Sequence, residues 1–296
     1  MKHQHSIDTL ILTAYCVTDA INAIASCNIL SKLLKIRTKI LVLNSDISTG
    51  VNSGISVDDW TILMGSNKNF EFSGWQEGIN YLYQHNISHR GILFANDTIG
   101  RHHKGSHLAQ CNLNELMRRW STCHGAQFIG IQHFSPQPLD LDGHDVTQWI
   151  CTMIFGLTSE ALKRIDYKVD HIEYAARMCS EKVDGFSILN QNTPSSIKAY
   201  IEDWLLNGGW HGSTQPPLSV YDQRRLQHKA RCILCEKMLT VKAKQKNISI
   251  IGVKDLEPAQ VRHGVLRPVV EYTKTLKAKA LHQIKYVFNS LHGDVQ

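Results

Sequence analysis

Residues 91–103 read GILFANDTIGRHH. Four apolar residues, Ile92 to Ala95, run into an amide, a carboxylate and a hydroxyl, Asn96, Asp97 and Thr98; after a glycine come Arg101, His102 and His103. Such residue types can hold a metal ion or an anionic ligand, and the resemblance given below implies a nucleoside diphosphate that must depart. Its developing charge is neutralised either by Mg2+ or Mn2+ held on carboxylates, or by cationic side chains and backbone N–H groups. Asp97 is therefore the central candidate, as a catalytic and donor-contacting carboxylate and as a metal ligand. Asn96, Arg101 and His102 stand beside it as donor contacts, and His103 as a second metal ligand. The plain structural alternative is a turn in which Asn and Asp bond their own backbone, followed by a solvated basic loop.

Other groups join this set. KILVLNS (39–45) and TILMGSN (61–67) are also apolar runs that end in small polar residues, and ligands of open α/β sheets bind at such carboxyl ends of strands. Tyr15, Asn44 and Ser45 are donor contacts on that basis. Trp75 and Asn80, on the helix after the third run, are further donor candidates, although aromatic residues at helical spacing commonly fill a core. Inversion at a sugar carbon needs a carboxylate to accept the proton of the acceptor hydroxyl. The LDLDGHD segment offers Asp140, Asp142 and Asp145, of which Asp142 and Asp145 are taken as the catalytic candidates. Asp58 and Asp59 read as a cap or turn. Cys232-Ile-Leu-Cys235 lacks a second pair at metal-site spacing, and on a helix it places two small side chains on one face.

Strands alternate with helices in the pattern that positions these groups. Residues 8–18 form an apolar, β-prone strand, 19–34 a helix, 39–45 and 61–67 two strands, 74–86 a helix and 91–96 a fully buried strand. A helix over 112–124 and a strand over 126–134 follow, then a polar loop, SPQPLDLDGHD, punctuated by Pro and Gly. The pattern continues with a strand over 149–157, a short helix capped by Thr158-Ser159-Glu160, and an amphipathic helix over 196–207. After a turn-rich stretch come a long basic helix over 224–246, a last strand over 248–253 and a final helix over 270–291. The fold class is α/β, with a Rossmann-type mixed sheet flanked by helices. No internal repeat or low-complexity segment appears.

The order of segments 69–100, in which a loop and a Gly-x-x-x-Gly-x-Asn helix lead to a hydrophobic strand and an acidic turn, resembles the nucleotide-sugar half of GT-A glycosyltransferases. Their sheet delivers a DXD-type motif at the end of a central strand; here that position reads Asn96-Asp97-Thr98, one carboxylate where the pattern usually has two. The chain is similar in particular to bacterial polysaccharide glycosyltransferases of the rhamnan synthesis protein F kind and related O-antigen or capsule enzymes, which carry an Asn-Asp pair there. Trp149–Leu162 matches a later segment of tryptophan, short strand and small helix. Asp203-Trp204-Leu205, Trp210-His211 and the helical 228–239 match a downstream stretch, so the resemblance spans roughly residues 8–253. It implies a GT-A-like sheet with a basic helical C-terminal extension. Residues 1–223 would be the catalytic domain, with a nucleotide-sugar half to about 135 and an acceptor half beyond it, and 224–296 the basic region. It implies a hexosyltransferase, for instance galactosyl or rhamnosyl, that uses a UDP-, GDP- or dTDP-sugar, with Mg2+ or Mn2+ as the cofactor to test. Trp149, Trp210 and His211 would contact the acceptor.

With 296 residues and 43% hydrophobic content the chain can bury a sizeable core. Its net charge of +6 is uneven: residues 224–296 hold 15 Lys/Arg against 5 Asp/Glu, whereas the rest is acidic. Such a tail seeks an anionic partner, a nucleic acid or a membrane surface. In the stretch 270–291, Tyr272, Leu276, Ile284, Val287, Phe288 and Leu291 form an apolar stripe among Lys274, Lys277, Lys279 and Lys285, as in a helix lying on an anionic membrane. That suits a lipid-linked or growing-polysaccharide acceptor at the inner face of the cell membrane. The alternatives are a nucleic-acid-binding protein, against which stands the lack of aromatics interleaved with the basic residues, and a non-catalytic α/β interaction module. The polar start MKHQHSID and the lack of an apolar run of about 18 residues lead to the expectation of a cytoplasmic protein. The eight scattered cysteines are expected to be reduced.

Overall fold

The computed structural model describes residues 7–15, 17–44, 55–57, 59–99, 107–179, 188–206 and 220–254. The chain runs through β1 (Thr9–Ala14), α1 (Val17–Leu34), β2 (Thr38–Asn44), β3 (Ile55–Val57), β4 (Trp60–Gly65), α2 (Phe70–Gln84) and β5 (Gly91–Asn96). It continues with α3 (His107–Thr122), β6 (Gln127–Leu141), β7 (His144–Thr158), α4 (Ser159–Arg164), α5 (Ile172–Met178), α6 (Ser195–Leu206), α7 (Val220–Gln245) and β8 (Ser249–Lys254). One eight-stranded sheet has the order β3-β4-β2-β1-β5-β7-β6-β8. β4, β2, β1 and β5 are parallel, β7 inserts antiparallel to both β5 and β6, and β8 lies parallel to β6. This is an α/β fold with a Rossmann-type mixed sheet between helical layers.

The apolar runs form strands buried on both faces, because helices cover each side of a parallel sheet. Alternation along the strand then assigns each residue to one layer. Leu10 and Leu12 of β1, with Leu93 and Ala95 of β5, pack toward α1 and α3, whereas Ile11, Ile92 and Phe94 pack toward α2 and α7. On that second face Phe72, Trp75, Phe94, Phe128 and Phe155 form an aromatic cluster, with Trp75 and Phe155 edge to face at 5.2 Å and Phe94 stacked on Phe155 at 4.8 Å. α2 crosses the sheet closely. A Cβ added to Gly74 would lie 2.7 Å from Thr13 Oγ1, and one on Gly78 2.7 Å from Ile11 Cγ2.

The segment expected as a polar loop is instead the tip of a long hairpin of β6 and β7, 15 residues each. Asp142 and Gly143 both have positive φ, +57° and +76°, which matches the right-handed twist of a two-residue hairpin turn. The two prolines fall within the register shift between Phe134 and Leu139, where no ladder hydrogen bond is needed. Leu139, Leu141 and Val146 turn inward to the core. A second shift, between Gly130 and Gln132, lets α7 side chains complete β7. The N–H groups of Ile150 and Thr152 donate to Thr240 Oγ1 (3.2 Å) and Glu236 Oε2 (2.9 Å). The match is geometric, since four helical residues rise about 6 Å and two strand residues about 6.6 Å.

The core continues past residue 223, where a domain boundary was expected. Leu226, Ala230, Leu234, Met238 and Val241 of α7 share one apolar cluster with Trp75 and Phe94, and β8 pairs with β6 from Ser249 to Lys254. Among the described residues no helix is long and apolar enough to cross a membrane. The helix expected over 270–291 lies outside the described residues.

Candidate functional site

The parallel strands place their carboxyl ends together. From β1 the chain passes through α1 to β2 on one side, whereas from β4 it crosses by α2 to β5 on the other side of β1. The carboxyl ends of β1 and β5 thus flank the point where strand order reverses, the place where open α/β sheets bind ligands. Asp97, half-buried just past β5, accepts the backbone N–H of Tyr15, just past β1, on Oδ2 at 2.9 Å. Asn96 is buried and turned back on its own chain: Oδ1 accepts the N–H of Thr98 at 3.1 Å and also its hydroxyl. The turn reading of Asn96 and a position at the switch point for Asp97 hold together. Tyr15 is 45% exposed at this mouth.

Asn44 ends β2 and is 1% exposed; its Nδ2 donates to the carbonyl oxygen of Phe70 and fastens the first turn of α2. Its Oδ1, and Oγ1 of Thr13 at the end of β1, are buried without a partner among the described residues. Asn69, which precedes α2, donates to Asp170 Oδ1 at 2.6 Å, and Ile172 N–H reaches the same oxygen at 3.0 Å, so the chain before α5 holds the helix start from the far side.

Several expected site residues lie elsewhere. Trp75 is fully buried in the aromatic cluster, and its Nε1 donates to Ala95 O at 2.9 Å, so it braces β5 and cannot meet a donor. Asn80 is exposed ten residues into α2, about 15 Å from the helix start, and accepts from Gln76 Nε2 at 3.1 Å. Asp142 shapes the hairpin turn, and Asp145 is exposed opposite Asp140 in the same hairpin. The tip docks at the end of α7, where His144 meets Gln245 at 2.7 Å, nine residues or about 14 Å along the helix from Glu236. Trp149 is 2% exposed, with its face covered by Lys237, so it cannot stack on an acceptor sugar. Ser45, Arg101, His102, His103, Trp210 and His211 lie outside the described residues.

The face of β7 toward α7 gathers groups that the sequence did not mark. β5 pairs with β7 up to Ala95 opposite Ile154, and β7 is irregular between Phe155 and Ile150. Thr152 holds Glu236 of α7 by its N–H and its hydroxyl, both 2.9 Å from Oε2. Glu71, in the first turn of α2, lies close enough to act on Lys229, two α7 turns before Glu236. Burial works against the charge of Lys229, but the Glu71 carboxylate, followed by Cys232 and Glu236, outweighs it and raises the pKa. Lys237 is 1% exposed, its ammonium 4.0 Å from the Trp149 ring centre, 4.7 Å from that of Tyr200 and 3.7 Å from Glu236 Oε1. Burial lowers its pKa to about 8. One local signal could have pointed here: Glu236 is the lone carboxylate in the basic stretch 224–246.

The chain matches no protein-family model and no curated protein.

Proposed function

We propose that this chain is a glycosyltransferase that moves a sugar from a nucleotide donor to a lipid-linked or growing surface polysaccharide at the cytoplasmic face of a membrane. The observation that carries the reading is the Tyr15–Asp97 contact at the strand-order reversal, which puts the single carboxylate of the Asn-Asp-Thr turn where a nucleotide would dock. The exposed Tyr15, and the buried Thr13 and Asn44 oxygens at neighbouring strand ends that lack a partner among the described residues, add to that support.

Within this reading Asp97 receives the donor, by its ribose or sugar hydroxyls. Among the described residues no group of three or more His, Cys, Asp or Glu could hold a metal ion, so a divalent ion would have to come with the donor phosphates, with Asp97 as its one protein carboxylate. That ion would supply charge neutralisation to the departing diphosphate. The close packing of α2 on β1 and β2 through Gly74 keeps the floor of the mouth rigid, as positioning of a reactive sugar requires.

The test is a thermal-shift and calorimetric screen of UDP, GDP, dTDP and CMP and their sugars, with and without Mn2+, on the wild type and on Asp97→Ala. At a ligand concentration of 100 Kd, binding stabilises a protein by about 2.7 kcal/mol, a shift of several degrees in Tm. A shift confined to one nucleotide and lost in Asp97→Ala is expected. Silence toward every nucleotide would falsify the reading.

A further inference from the structure

We propose that Asn96 is a positioning residue of the donor site: it contacts no ligand and instead builds the turn that presents Asp97 to the nucleotide sugar. This rests on the transferase reading. The bonds that converge on Asn96 carry the argument. Its Oδ1 accepts the N–H of Thr98 at 3.1 Å and the hydroxyl of the same residue, while its backbone carbonyl oxygen accepts the N–H of Ile99 at 3.2 Å. A side-chain turn and a backbone turn thus close over the same stretch, and Asp97 is enclosed by both.

That stretch is tied to the sheet. Asn96 is the last residue of β5 and pairs with Thr13 of β1, and Asp97 Oδ2 accepts the N–H of Tyr15, two residues beyond Thr13. The carboxylate is therefore set by β1 and by the turn at once. Without a side-chain acceptor at position 96, two donors of Thr98 lose their partner and one backbone bond alone closes the turn. A carboxylate on such a loop must be ordered when the donor binds, which costs affinity.

The residue type follows from the same geometry. Asn96 is 8% exposed, and the turn takes an acceptor oxygen from it. Aspartate offers the same oxygen, but as a buried charge next to that of Asp97, which burial and like-charge repulsion both oppose. The amide supplies the acceptor without the charge. In Asn96-Asp97-Thr98 one residue shapes the turn and its neighbour meets the donor, so the single carboxylate is not a two-carboxylate motif that has lost a ligand.

The experiment uses the full chain and the nucleotide sugar that shifts its Tm. Its Kd is measured by calorimetry well below the unfolding transition on wild type, Asn96→Ala and Asn96→Ser, with the Tm of each unliganded protein recorded alongside. Serine keeps an oxygen that closes the same turn, although more weakly, and has no amide. Expected is a Kd raised about fivefold or more in Asn96→Ala, since one lost hydrogen bond is worth roughly that factor. Asn96→Ser should recover most of the loss and bind within about fivefold of wild type. A merely structural asparagine would lower the Tm of Asn96→Ala and leave its Kd within that factor, and an asparagine that touches the donor through its amide would make Asn96→Ser as weak as Asn96→Ala; either result overturns the proposal. If Asn96→Ala does not fold, Asn96→Ser decides: binding within about fivefold of wild type upholds the turn, and a greater loss refutes it. A wild type silent to all nucleotides removes the transferase reading and this assignment with it, a failure seen in the wild type and not in the variants.

Discussion

Tyr15 and Asp97, 82 residues apart, are joined by one hydrogen bond of 2.9 Å from a backbone N–H to a carboxylate oxygen, and this bond ties the ends of two neighbouring parallel strands. Because the donor is the backbone, the identity of residue 15 is irrelevant to the tie unless it is proline, which has no N–H. Tyr15→Pro and Asp97→Ala should each lose about 1 kcal/mol from this contact, and the double variant should lose no more than the larger single effect. Urea unfolding of the four proteins measures the cycle; strict additivity would show that the tie contributes nothing.

Gly74 is predicted to reject a side chain. A methyl there would meet Thr13 at 2.5 and 2.7 Å, with Asn44 Nδ2 at 3.2 Å behind it, and Thr13 belongs to a central strand that cannot withdraw. Gly74→Ala should therefore cost about 1–3 kcal/mol despite the better helix propensity of alanine. Chemical denaturation gives the number, and an unchanged or raised midpoint would mean that α2 can lift from the sheet.

His171 should make the protein sensitive to mild acid. It is 8% exposed, and burial, aided by the charges of Lys168 and Lys242 and opposed by Glu173, lowers its pKa from 6.5 to about 4. Between those values the unfolded chain binds the proton and the native one does not, so stability is full above pH 6.5 and falls as pH drops toward 4. The loss from this group is on the order of 3 kcal/mol. Stability measured at several pH values on wild type and His171→Phe checks it; the variant should have the flatter profile across that window.

Lys237 acts in the alkaline range. Its pKa of about 8 in the folded protein lies below the usual 10.5, chiefly through burial, so between pH 8 and 10.5 the unfolded chain holds the extra proton. Stability from this residue thus rises as pH passes from 8 to 10.5. Lys237→Met removes that rise, and a variant whose stability climbs as steeply as the wild type's would assign it to another group.

Cys232 and Cys235 are expected to be inert. Burial holds the Cys232 thiol well above its ordinary pKa and pushes that of Cys235 up to about 12, while the two side chains reach different partners, Glu71 and Asn69. Thiolates are the reactive form. Alkylation of the native protein at pH 8, mapped by mass spectrometry, should leave both unmodified, and rapid labelling of either would contradict the packing of α7.

The sequence by itself determined the elements that local hydrogen bonding and two-sided burial dictate. TLILTA and GILFAN are continuous apolar runs because parallel strands lie between helical layers, and their polar ends mark the mouth at Asp97. Its misreading at SPQPLDLDGHD was local too: proline and acid suggested a loop, although Asp142-Gly143 is a hairpin dipeptide and Leu139, Leu141 and Val146 alternate around it. Only the tertiary structure decided which polar and aromatic groups meet. Trp75 and Trp149 are tryptophans at suggestive positions, and nothing in the neighbouring letters tells a ring inside a core from one offered to a sugar. Glu236 reads as a surface charge on a basic helix until β7 brings Thr152 to it across 84 residues. The physical reason is that periodicity is set by hydrogen bonds within a few residues, whereas a site is set by strand order and register, which no local pattern encodes.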